Sequence, residues 1–206
     1  ANFESFLIST GDGNDYIDST SVSMQDWLSL GAGNDFVKLG GGNDVANGGS
    51  GSDQFDAGPG NDSLTGGSGP DVFLYAAAGN GTDTISDFGS GDVIQIAGVS
   101  LNSASFVASG ANLAQNKVNI SSSGGVTTVL VGTDATPGAD VTILLTGNYP
   151  QSTFVADGTS ISLASTNHAP TGEASAVLAN AFEDTSYLIS SASLLQGFSD
   201  SDGDSL

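Results

Sequence analysis

Apolar residues recur every nine positions through the first third of the chain. Val37, Ala46, Phe55, Leu64 and Phe73 each follow an aspartate by two positions, and those aspartates (Asp35, Asp44, Asp53, Asp62 and Asp71) keep the same spacing. Two positions before each aspartate stands a glycine: Gly33, Gly42, Gly51, Gly60 or Gly69. This pattern predicts a three-residue strand and a six-residue glycine-rich turn per unit. Strands this short cannot stand alone, so the units must stack to bury their apolar residue. Two units complete one coil, which aligns alternate aspartates. Asp15, Asp35, Asp53 and Asp71 are expected on one edge; Asp26, Asp44, Asp62 and Asp83 are expected on the other.

The frame extends outward from this core. Thr10-Gly11-Asp12-Gly13-Asn14-Asp15-Tyr16-Ile17-Asp18 is a full copy. The copy around Asp26 keeps its aspartate and apolar residue but has no glycine, so it is expected to keep the strand and lose most of the metal geometry. After Asp71 the beat breaks, with Asp83 twelve residues on. Beyond it Val, Ile, Thr and Ser dominate, and longer strands are expected at 93–96, 106–108, 117–120, 126–131, 141–145 and 161–163. Ser122-Ser123-Gly124-Gly125 reads as a hairpin turn. Antiparallel structure here would cap the last coil, whose edge would otherwise be open. No stretch has a convincing helical period, although 192–196 could form a short turn. The expected organisation is a repeat region at 1–92, a β-rich cap at 93–166, and a linker with a further segment at 167–206.

Charge narrows the chemistry. Asp and Glu number 23 against two bases, Lys38 and Lys117, for a net charge of −21. Phosphate binding needs clustered Lys and Arg, so nucleic acid is not an expected partner; docking on anionic membranes is disfavoured too. No apolar run approaches the about 20 residues of a spanning helix. A folded chain this acidic repels itself unless cations neutralise it. Cysteine is absent, so no disulfide staples the fold and bound metal can supply the missing stability. The chain reads as a piece of a longer protein, opening at Ala1 without a signal peptide.

The repeat has the donors for a hard divalent cation. Calcium takes six to eight oxygen ligands from carboxylates and backbone carbonyls. Each turn offers carbonyls at its glycines (Gly31 and Gly33, Gly40 and Gly42, Gly49 and Gly51, Gly58 and Gly60, Gly67 and Gly69) and one carboxylate from Asp15, Asp35, Asp44, Asp53, Asp62, Asp71 or Asp83, with Asp12 a further candidate in the first turn. Two stacked turns could reach six oxygens around one ion, and about four to six Ca²⁺ ions are expected over the region. Asn14, Asn34, Asn43 and Asn61 are expected to brace the turns. Magnesium fits less well, because it demands a tighter octahedron and keeps its waters. Zinc lacks its usual ligands, with a single His and no Cys. A flexible linker would have no reason to keep an apolar residue in register with its aspartate.

The tracts Gly31-Ala32-Gly33-Asn34-Asp35, Gly40-Gly41-Gly42-Asn43-Asp44, Gly48-Gly49-Ser50-Gly51-Ser52-Asp53 and Gly66-Gly67-Ser68-Gly69-Pro70-Asp71 resemble the RTX (repeats-in-toxin) nonapeptide family. Gly81-Thr82-Asp83-Thr84-Ile85-Ser86-Asp87-Phe88, with Gly91-Asp92-Val93-Ile94, is similar to the segment that ends an RTX β-roll. The resemblance covers about residues 10–96. It implies an all-β, calcium-loaded parallel β-roll, export by a bacterial type I system, and folding only in calcium-rich surroundings outside a Gram-negative cell. The family's ligand aspartate falls on Asp15, Asp35, Asp44, Asp53, Asp62 and Asp71; Asp26 departs through its missing glycines. The tail, with Asn167-His168-Ala169-Pro170-Thr171, Glu183-Asp184-Thr185 and Asp200-Ser201-Asp202-Gly203-Asp204, resembles the opening of a bacterial cadherin-like adhesin repeat. About 40 residues cannot complete an Ig-like sandwich, which needs about 100. An EF-hand fails at Asp200, because Gly203 falls between the second and third acids and no closing Glu follows.

No catalytic constellation is apparent. His168 is the single histidine and reads as a solvated spacer residue, and neither His-Glu-x-x-His nor Gly-x-Ser-x-Gly occurs. Trp27, Phe36, Phe55 and Phe73 read as packing residues. The expected function is a calcium-binding structural module of a secreted or surface-attached repetitive protein of adhesin type. The alternative is the non-catalytic RTX tail of a secreted hydrolase or toxin. Expected partners are calcium ions and neighbouring domains of the same long chain; the receptor is unknown.

Overall fold

The computed structural model describes residues 5–21, 23–108 and 113–164, together with the backbone of 171–172 and 198–199. The chain divides into two compact units, 1–164 and 165–206. In the second, the described backbone is one short antiparallel pair, Thr171–Gly172 with Phe198–Ser199. The expected helical turn at 192–196 and the acidic motifs of the tail lie outside the described residues.

The first unit is a parallel β-solenoid. Strands β1 (Leu7–Asp12), β3 (Trp27–Ala32), β5 (Val45–Ser50), β7 (Ser63–Ser68) and β9 (Thr82–Ile85) stack in one sheet. Strands β2 (Tyr16–Asp18), β4 (Phe36–Lys38), β6 (Gln54–Asp56), β8 (Val72–Tyr75) and β10 (Val93–Ile96) stack in the other. The register follows the repeat: Val37 lies opposite Phe55, and Phe55 opposite Phe73. Because successive side chains alternate faces, the residue two after each aspartate points inward. Leu28, Val37, Ala46, Phe55, Leu64, Phe73, Ile85 and Ile94 are accordingly buried. Phe55 and Phe73 stack, with centroids 5.2 Å apart and planes 11° apart.

The same alternation turns Trp27 and Phe36, which directly follow their aspartates, outward; Trp27 is 40% exposed. Phe36 is half-buried and packs edge-on against Tyr16 of the neighbouring coil, centroids 5.6 Å apart. The strands of the first sheet also outgrow the expected three residues. β3, β5 and β7 continue through the first three turn positions, where Gly31, Gly49 and Gly67 pair in register. On the opposite edge the turn that would extend this ladder contains Pro59, which has no N–H to donate.

The last coils are capped as expected. β11 (Lys117–Ser123) and β12 (Val126–Gly132) form a hairpin closed at Ser123 and Val126. β13 (Val141–Thr146) joins β12 antiparallel and β9 parallel, extending the first sheet. β14 (Phe154–Asp157) and β15 (Ser160–Leu163) extend the second sheet beyond β10. The segment 106–108 is not a strand: Phe106 makes a single bridge to Val118. Phe88 and Phe154, stacked at 6.4 Å, continue the aromatic core under the cap.

Candidate metal-binding columns

Two columns of aspartates run along the edges of the solenoid, grouped as the spacing predicts. On the first edge the N–H of Asp15 donates to Oδ1 of Asp35 at 2.8 Å, that of Asp35 to Asp53 at 2.8 Å, and that of Asp53 to Asp71 at 2.9 Å. Asp71 in turn donates to Oδ1 of Asp92 at 3.0 Å. On the second edge Phe6 donates to Asp26 at 3.1 Å, and the N–H groups of Asp26, Asp44 and Asp62 donate to Asp44, Asp62 and Asp83, each at 2.8 Å. Each carboxylate thus braces the coil before it.

The asparagines brace in the opposite direction, between coils rather than within one turn. Oδ1 of Asn14 accepts from the N–H of Asn34, Asn34 from Ser52, Asn43 from Asn61, and Asn61 from Thr82. Asp26 holds its place in the column, buried to 1% exposure, despite its glycine-free turn. Hydrogen bonds to its neighbours, rather than the glycines, fix that position.

In Asp35, Asp44, Asp53, Asp62, Asp71 and Asp83 one oxygen is occupied this way and the other is not. Among the described residues, Oδ2 of Asp15, Asp35, Asp53 and Asp71 on the first edge, and of Asp44, Asp62 and Asp83 on the second, is buried without a hydrogen-bond partner. Burying an unpaired carboxylate is costly, and the group responds by holding a proton or recruiting a cation. Burial pushes Asp62 and Asp83 up to about 7 and Asp71 up to about 6, opposed by the N–H bond each accepts. The neighbouring carboxylates add to the rise at Asp62 and Asp71. Asp44, Asp53 and Asp92 are raised for the same first reason.

Backbone carbonyls crowd the same turns. A Cβ built on Gly51 would lie 1.8 Å from the carbonyl oxygen of Gly33, and its φ of +128° lies in the region other residues avoid. The same close approach recurs in register. The carbonyls of Gly31, Gly40, Gly42, Gly49 and Gly51 face the α-carbons of Gly49, Gly58, Gly60, Gly67 and Gly69. Gly48 and Gly66, which the spacing argument passed over, lie against the Oδ2 atoms of Asp53 and Asp71, where a Cβ would come within 2.2 Å. Asp12 is exposed in β1, opposite Ala32 and outside both columns.

Among the described residues no three acidic or histidine side chains converge on one point. The donor set is instead one carboxylate oxygen per turn together with glycine carbonyls. It is all oxygen, partly charged and repeated at fixed rise, which suits Ca²⁺ and offers zinc none of its preferred His or Cys donors. The first column closes without an orphan. Both oxygens of Asp92 accept N–H groups, from Asp71 and from Gly89 at 2.8 Å, and Asp87 accepts the N–H groups of Gly66 and Gly67 at 3.0 and 2.8 Å. Neither acid was among the expected site residues. A signal for Asp92 existed, since it falls nine residues after Asp83.

Fold and columns together define a calcium-binding structural module built on a β-roll. Residues 24–55 and 39–73 match the model of the RTX calcium-binding nonapeptide repeat (4 copies). Residues 166–206 match that of a cadherin-like domain. The coils between residues 24 and 73 thus match RTX repeats, and residues 166–206 match a cadherin-like domain; both are structural, non-catalytic modules. Comparison with curated proteins finds no match.

Proposed function

We propose that this chain is a calcium-folded spacer and attachment module of a secreted or surface-attached bacterial protein of adhesin type, exported unfolded by a type I system. The observation that carries the reading is the pair of columns of buried, unpartnered Asp Oδ2 atoms. Ca²⁺ supplies the positive charge that makes them compatible with a folded state. The ligands are Oδ2 of Asp15, Asp35, Asp44, Asp53, Asp62, Asp71 and Asp83 with the carbonyls of the turn glycines. One ion between each successive pair of orphan oxygens on an edge gives about five.

Where calcium is scarce the facing carboxylates repel and the chain stays unfolded; where it is abundant the folded form is favoured by mass action. Such a switch suits a Gram-negative protein that crosses its envelope unfolded and works outside it. The cadherin-like match at 166–206 favours an adhesin over the tail of a secreted enzyme. In this reading residues 1–92 bind the ions, 93–166 cap the roll, and 167–206 begin the next domain of the same long chain. Circular dichroism tests it. The expected result is β structure in millimolar calcium and its loss on chelation; an unchanged spectrum would overturn the reading.

A further inference from the structure

The two columns end differently. At the end of the first, backbone N–H groups fill both oxygens of Asp92. At the end of the second, Asp83 accepts the N–H of Asp62 on Oδ1, while its Oδ2 is buried and unpartnered. A second orphan accompanies it. The hydroxyl of Tyr75 is buried without a hydrogen-bond partner, and the whole side chain is only 3% exposed.

Register places Tyr75 at the start of the turn that carries Asp83. Lys38, Asp56 and Leu74 stack in β4, β6 and β8, so Leu39, Ala57 and Tyr75 follow one another at the entrance to the second-edge turns. The equivalent entrance on the first edge is held by Gly48 and Gly66, whose α-carbons lie against the carboxylates of Asp53 and Asp71. The position that opens a turn thus lies beside the carboxylate of that turn, and Tyr75 opens the turn that carries Asp83. The step from Asp71 to Asp83 is twelve residues rather than nine. Its extra loop is closed by Asn80, which accepts from the N–H of Ala76 at 3.2 Å and donates to the Ala76 carbonyl at 2.8 Å. As a hydroxyl, the phenol has lone pairs to offer a cation.

We propose that Tyr75 supplies a hydroxyl oxygen to the divalent cation held by Asp62 and Asp83, giving the last site on that edge a side-chain ligand that the nine-residue pattern does not provide. The inference rests on the calcium reading above and deepens it.

Terbium, a luminescent stand-in for calcium, tests it in a Trp27→Phe chain, so that sensitised emission comes from tyrosine alone. Tyr75→Phe keeps the ring in the core, and circular dichroism in saturating calcium checks its fold. The expected result is native β structure, loss of a component of the tyrosine-sensitised emission, and one calcium site weakened roughly tenfold or more by calorimetry. Unchanged emission and an unchanged calcium isotherm would overturn the role of Tyr75 while leaving the calcium reading standing. Failure of the unaltered chain to bind either ion would overturn that reading, and this inference with it.

Discussion

The N–H of Asp53 donates to Oδ1 of Asp71 in the next coil at 2.9 Å, while Oδ2 of Asp71 is left buried and unpartnered. A single carboxylate therefore does two jobs. One oxygen registers the coils, and the other is kept for a ligand from outside the chain. The arrangement repeats at Asp35, Asp44, Asp53 and Asp62, so registering the stack and building the donor columns are one event.

The two jobs separate by substitution. Asp53→Asn keeps an acceptor for the N–H of Asp35 and removes the charge. It is expected to fold in calcium but to bind ions on that edge roughly 10- to 100-fold more weakly. Asp53→Ala removes both functions and is expected to weaken the two sites that share this aspartate. Calorimetry on the two variants checks this; retention of full stoichiometry and affinity by Asp53→Ala would count against shared ligation.

Close stacking should make the turn glycines unequal to other glycines. Gly51→Ala forces a Cβ to within 1.8 Å of a backbone oxygen at a φ of +128°, and is expected to cost about 3 kcal/mol or more. Gly124→Ala, in the capping hairpin at a φ of +62° with nothing within 4 Å, is expected to cost only about 1–2 kcal/mol. Urea unfolding of both variants in saturating calcium measures the difference.

Acid should partly replace calcium. In the unfolded chain these aspartates titrate near 3.8, whereas in the metal-free fold Asp71 is raised to about 6 and Asp62 and Asp83 to about 7. Between those values the folded state holds more protons, so metal-free stability falls as pH rises. The contribution is complete below about 3.8 and is lost as pH passes through 6 to 7. A chain dialysed free of metal is expected to show more β structure at pH 5 than at pH 8 by circular dichroism. Calcium, competing with those protons, is expected to bind more weakly at pH 5. A metal-free chain better folded at pH 8 would contradict this.

Much of this was legible in the sequence because the repeat is local. A nine-residue spacing with an apolar residue two places after each acid determines which side chains point inward, and therefore which aspartates share an edge. The direction of the Asp53 to Asp71 bond was not legible, since it joins residues that the coil, not the local chain, brings together. Asp26 read as degraded for want of glycines, yet its place depends on Phe6 and Asp44, each 18 or 20 residues away. Trp27 read as a packing residue by type alone, and the parity of its position turned it outward. Asp87 and Tyr75 were passed over because the end of a stack breaks the pattern that makes its middle readable; Asp92 keeps the nine-residue step from Asp83 and could have been found.

The most direct test is a crystal structure of the chain grown in millimolar calcium. The account predicts anomalous density for calcium along both columns, against Oδ2 of Asp35, Asp53 and Asp71 on one edge and of Asp44, Asp62 and Asp83 on the other. Turns folded as described here but free of any ion in those crystals would contradict it.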